Sequence, residues 1–179
     1  VSHFSLPTLD GTWSFRNEWT GEDVYIFLFK YTDSSGNGNN ADWSKNPGPM
    51  IRQLPDNAHL FYGSFDNSFK NDVLGRKTAV QNALNADEEL KWEGRIHYID
   101  QDMSTASGGI GDLINNWNSL YYGIDRFQRA REIGSIYAWT SQTNDITHWA
   151  YEARMYNYEF PTEVRESDPN IHTVTIVDE

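Results

Sequence analysis

The sequence predicts an α/β domain, a central mixed β-sheet flanked by helices on both faces, and three observations carry that expectation. Val24 to Tyr31, VYIFLFKY, is almost unbroken in its apolarity and is bounded by turn signals, the mark of a strand covered on both sides. Between His59 and Ile99 a strand, a helix and a strand follow one another, the unit that links neighbouring parallel strands. After Gly123 an antiparallel pair and a closing helix complete the layers.

Taken in order, FSLPTLDG and TWSFRNEW alternate apolar and polar residues between turns, which suggests a small hairpin or edge strand ahead of the central strand. Asn46 to Pro49, NPGP, is expected to forbid regular structure, with one helical turn from Met50 to Leu54 that stops at Pro55. HLFYGSF, His59 to Phe65, is the second strand. Val73, Lys77, Val80, Gln81 and Leu84 then fall at helical spacing through Asn85, and RIHYI, Arg95 to Ile99, is the third strand. Ser107-Gly108-Gly109 opens a helix whose stripe is Ile110, Leu113, Ile114 and Trp117. From Gly123 to Trp139 two extended pieces are expected to flank a turn at Glu132 to Ser135. Asn144 can cap a last helix that carries Ile146, Trp149, Ala150, Ala153 and Tyr156 on one face and ends before Pro161. Residues 1–160 therefore read as one domain, and 161–179 as a linker or edge strand leading to a further domain. The opening at Val1 reads as a mature product or an excised piece.

With 179 residues the chain is long enough to bury a sizeable core, and no stretch approaches the roughly 20 apolar residues that span a bilayer. A formal charge of −12 argues against nucleic acid or an anionic membrane as partner, since both demand clustered lysine and arginine. Cysteine is absent, which removes disulfides, thiolate metal sites and thiol catalysis together. The 7 tryptophans, 10 tyrosines and 9 phenylalanines point to a core of large rings or to aromatic binding platforms.

The loop that leaves the central strand, TDSSGNGNNADW, sets Asp33, Ser35, Asn37, Asn39 and Asp42 around two glycines. Calcium prefers such oxygen donors on a pliable turn, although the twelfth position counted from Asp33 is Ser44, where the calcium-loop template requires glutamate. No other cofactor is expected. His59, His97 and His148 match no metal-ligand spacing, and strand alternation puts His97 and Asp100 on opposite faces of RIHYID, so satisfied structural histidines are expected. Asp125, Arg126, Arg129 and Arg131 form a basic cluster in an acidic chain, whose guanidinium groups either take an anionic ligand group or pair with local acids.

The opening FSLPTLDG, followed by W-x-G-x-x-V at Trp19 to Val24 and then YIFLF, resembles the redoxin branch of the thioredoxin superfamily, with its peroxiredoxin-like and thiol-disulfide oxidoreductase domains. The resemblance is good from Phe4 to Tyr31 and looser to Trp139, where FQRAREIGSI looks like the family's closing hairpin. It implies a thioredoxin-like fold, a reactive cysteine pair near Ser34 and Asn37, and a cis-proline just before the hairpin. This chain has Ser34-Ser35-Gly36-Asn37 there and no proline between Pro55 and Pro161, so a fold is expected without its thiol chemistry. The expected function is a non-catalytic accessory module of a larger extracytoplasmic protein, which meets a protein or carbohydrate partner through Trp43, Asp125 and Arg126. The alternatives are a hydrolase or lyase drawing on His97, Asp33, Asp42 and Arg126, and a calcium-stabilised spacer.

Overall fold

A computed structural model describes residues 1–36, 38, 43–115, 120–125, 127–133 and 146. The first hairpin pairs β1 (Ser5–Thr8) with β2 (Gly11–Ser14), and a single helical turn, α1 (Phe15–Glu18), replaces the rest of the extended reading of TWSFRNEW. Next come β3 (Val24–Lys30), α2 (Gly48–Gln53), β4 (Ala58–Ser64), α3 (Phe69–Ala83), α4 (Ala86–Trp92) and β5 (Ile96–Asp102). A short 3₁₀ turn leads to α5 (Gly108–Asn115), and β6 (Tyr121–Ile124) and β7 (Ala130–Glu132) close the described part.

The seven strands form one sheet in the order β2-β1-β5-β4-β3-β6-β7. β3, β4 and β5 run parallel, while β6 lies antiparallel to β3 on its other side, so the apolar run of β3 has partners at both edges. Its first six residues are buried, and Tyr31, just past its end, is 39% exposed. On one face of the sheet Tyr25 and Phe27 meet Phe15 and Phe4, at ring separations of 5.6 and 6.2 Å. On the other, Leu28 and Tyr62 face the side of α2 and α3. Large rings at alternate positions of a strand covered on both sides account for much of the aromatic content.

Three expectations are corrected. Pro49 does not bar a helix, because α2 begins at Gly48 and holds Pro49 in its first turn, where a missing N–H costs nothing. The loop between α3 and β5 contains a further helix, α4. Asn85 caps it by accepting the Glu88 N–H at 3.0 Å while the Glu88 carboxylate accepts the Asn85 N–H at 2.9 Å. The β6–β7 hairpin turns at Asp125–Arg129, and Glu132, expected to begin the turn, lies in β7 instead. Tyr122 pairs with Glu132 and Ile124 with Ala130, and Asp125 Oδ1 accepts the N–H groups of Phe127 and Arg129 at 3.0 and 2.9 Å. An aspartate that ties down the two donors following it makes a tighter turn than Glu132-Ile133-Gly134 offers. Trp117, the helix of residues 144–158 apart from a helical, buried Ile146, and residues 161–179 lie outside the described residues.

Candidate functional site

In a sheet with three parallel central strands, the loops at their carboxyl ends are where ligands gather. Here that end is held by a half-buried ionic knot. Lys30 Nζ, the last residue of β3, lies 2.7 Å from Asp72 and 3.1 Å from Asp66. Asp72 also accepts the Ser64 hydroxyl at 2.8 Å, and Asp66 accepts the Thr32 N–H at 2.8 Å, which fixes the start of the loop. Burial alone would lower the lysine's pKa, but the hydrogen bonds to Asp72 and Asp66 hold it above its ordinary value.

The loop itself begins as a closed turn. Asp33 Oδ1 accepts the Ser35 N–H at 2.9 Å and the Asp33 carbonyl accepts the Gly36 N–H at 2.9 Å, with Gly36 at φ +81°. Of the calcium candidates, Asp33 and Ser35 are thus placed in one turn, whereas Asn37, Asn39 and Asp42 lie outside the described residues, as do Arg126 and His148. Among the described residues no three His, Asp or Glu side chains converge as metal ligands. Asp125 serves the hairpin turn, and Arg129 answers it from 3.8 Å, as expected for local pairing within the basic cluster.

Trp43, at the far end of the loop, is half-buried rather than displayed on a shallow patch. Its ring meets Tyr62 edge-on at 5.6 Å, and the guanidinium of Arg76 lies over both rings, 5.6 Å from Trp43 and 4.9 Å from Tyr62. Arg76 is 6% exposed, and its Nη1 donates to the carbonyls of Trp43 and Lys45 at 2.7 and 2.8 Å. These residues, with Leu28, Met50 and Tyr121, wall a cavity of about 30 Å³. Tyr62 is wholly buried, and that burial raises its pKa despite the opposing pull of the nearby Arg76. Sequence reasoning singles out Trp43 but passes over Arg76, whose signal is a cation spaced three residues after Val73 and four before Val80, on the buried face of α3.

His97 belongs elsewhere. It sits beside Phe61 in the β4–β5 register, stacked on that ring at 4.3 Å and beneath Trp13 at 5.9 Å, on the face opposite Tyr62 and Trp43. Its Nε2 is 3.1 Å from His59 Nδ1, and His59 Nε2 is 3.7 Å from Asp23, which also accepts the Thr20 hydroxyl at 2.8 Å and faces Arg95 at 3.4 Å. Asp100, on the other face as alternation requires, pairs with Lys70 at 3.2 Å. The other side of His97 borders a groove of about 700 Å³ along α3 and α4, which the Lys77–Asp10 ion pair also lines. His97 lies level with Phe61 and Phe27, whereas Lys30 and Ser64 end the parallel strands three residues, about 10 Å, further along. The geometry therefore does not bring His97 together with Asp33 in one catalytic group.

Burial, and then the neighbouring His59, push the pKa of His97 down to about 3, which leaves a weak base at neutral pH. Because the folded value lies below the unfolded one, its stabilising effect is complete above about 6.5 and is lost as pH falls toward 3. One proton sets the limit, about 1.4 kcal/mol per pH unit. Denaturant titrations at pH 4.5 and 6.5 should show a smaller difference for His97→Gln than for the wild type. An equal difference in both would mean that the histidine is not buried neutral.

No family model matches the chain, and no curated protein does. Among solved structures the fold is similar to that of BsSco, a member of the Sco family of cytochrome c oxidase assembly proteins in which a disulfide switch was identified. The TM-score is 0.50 at 12% identity, over 87% of this chain and 93% of that one. The architecture is thus a thioredoxin-like α/β fold, a mixed sheet with helices, built here without cysteine. No helix among the described residues is long and apolar enough to cross a membrane.

Proposed function

We propose that this chain is a non-catalytic interaction module on a thioredoxin-like skeleton of the redoxin kind, part of a larger extracytoplasmic protein, which docks a protein or carbohydrate partner. The observation that carries this reading is the loop after β3. At the place where the resemblance expects a cysteine pair stands Ser34-Ser35-Gly36, folded into a turn whose first carboxylate is bonded to its own backbone. A disulfide switch such as the one named for BsSco needs sulfur that this chain lacks. The acidic charge and the cysteine-free composition favour a place outside the cytoplasm, and fractionation of the parent protein tests that location.

The activity test is an assay of insulin disulfide reduction, peroxide consumption, and ester and phosphate-ester hydrolysis. The expected rates equal those of buffer in every case. Hydrolysis above that background, abolished by Asp33→Ala, would replace this reading with an enzyme that re-used the loop.

A further inference from the structure

We propose that the cavity beside Trp43 is a binding site for a small carboxylate, held side-on by the guanidinium of Arg76. A buried cation ordinarily has a paired anion, because charge removed from water is costly unless compensated. Arg76 is more than nine-tenths buried, at 6% exposure, and among the described residues no carboxylate lies within ion-pairing distance of it; two backbone carbonyls and two rings are its contacts there. The nearest acid on its own helix, Asp72, one turn earlier, is already taken by Lys30, Ser64 and Ser68.

The pattern of used and unused donors specifies the ligand. Both carbonyl bonds come from Nη1, so the opposite edge, Nε and Nη2, is left over, and the buried Nε–H has no acceptor among the described residues. Two parallel N–H bonds along that edge match the two oxygens of a carboxylate. The wholly buried Tyr62 hydroxyl, in the same wall, makes no close hydrogen bond among the described residues; it lies near enough to Arg76 for an interaction with the guanidinium to oppose the rise in its pKa, and as an acceptor there it keeps its own O–H to donate. A cavity of about 30 Å³ has room for roughly two or three water-sized groups, the size of formate or of one carboxyl head. Leu28, Met50 and Tyr121 make much of the remaining wall apolar, with Lys45 and Asn46 as its polar members, so the attraction of a bound anion to the arginine would be stronger than in open water. This assignment rests on the cavity and stands apart from the interaction-module reading.

The test uses the whole chain, labelled with ¹⁵N, titrated at constant ionic strength with sodium formate, with N-acetyl-aspartate amide and with sodium chloride, while the Arg76 Nε–H resonance is followed. The expected result is a saturating shift with a carboxylate and at least a tenfold weaker response to chloride. Saturation by formate alone identifies a free small acid, and saturation by the blocked aspartate identifies an acidic side chain from a partner; both support the site. No saturation with either carboxylate, or equal saturation with chloride, would overturn it. Arg76→Met should abolish the rise in melting temperature that formate gives the wild type. Because the titration reads the wild-type chain, its outcome stands whether or not that variant folds.

Discussion

Replacing Phe61 by alanine should destabilise the protein by about 3 to 5 kcal/mol, the usual loss when a buried ring leaves a cavity. Phe61 is fully buried at the crossing of two rows of rings. In register across the parallel strands, Phe27 stacks on it at 4.6 Å from one side and His97 at 4.3 Å from the other. Trp13, from the first hairpin, meets it edge-on at 4.6 Å. The ring thus ties the edge hairpin to the centre of the sheet, and the surrounding rings are too large and too well packed to collapse into the gap. For a domain of this size each kcal/mol moves the melting temperature by roughly 2 to 4 °C, so a fall on the order of 10 °C is expected by calorimetry. Phe61→Leu, which keeps most of the apolar volume, should cost less. A fall of only a degree or two in the alanine variant would show that the rings are not packed in this row.

Lys30→Met should be the next most severe, about 3 kcal/mol at neutral pH, the low end for a buried pair because these groups are only half-buried; it removes one partner and leaves the others behind. Asp66 and Asp72 would keep their carboxylates close together without the ammonium between them, and both are only 12–13% exposed. The sign of the pH dependence follows from the raised lysine pKa. The stabilisation is complete below the unfolded value of about 10.5 and disappears only as pH rises past the folded one, so the variant's deficit should persist through the neutral range. Double-mutant cycles with Asp72→Asn, read by urea denaturation, should return a coupling between the two sites. A deficit below about 1 kcal/mol would place Lys30 in the class of exposed, screened pairs.

How far the fold is legible in the chain depends on whether each signal is local. The run VYIFLFK declares itself, because only a strand with partners at both edges and cover on both faces accommodates so few polar residues. The parallel pairing of β4 with β5 follows from a helical stretch between two apolar ones. The α4 helix is equally legible in principle, since Asn85 and Glu88 form a capping box, but its single buried residue, Trp92, gives no apolar period to notice. The closing hairpin is misplaced by several residues in the sequence reading because Gly134 resembles a turn residue, whereas Asp125 binds two backbone donors and sets the turn itself.

The cavity cannot be read from the chain at all. Trp43 and Arg76 are 33 residues apart, and only the docking of α3 on the sheet brings the guanidinium over both Trp43 and Tyr62. The contact between His59 and His97 is hidden for a related reason. Parallel strands joined by a long crossover carry no local mark of their register, so nothing in RIHYID announces that His97 will stand beside Phe61.

The loop and the cavity both owe their positions to β3 lying in the middle of a covered sheet, and amide hydrogen exchange followed by NMR tests that placement most directly. The amides of Phe27 and Leu28 should exchange in the slowest class, through global unfolding, while Thr12 on the edge strand β2 exchanges far faster. Exchange at Phe27 and Leu28 as rapid as at Thr12 would contradict a central β3.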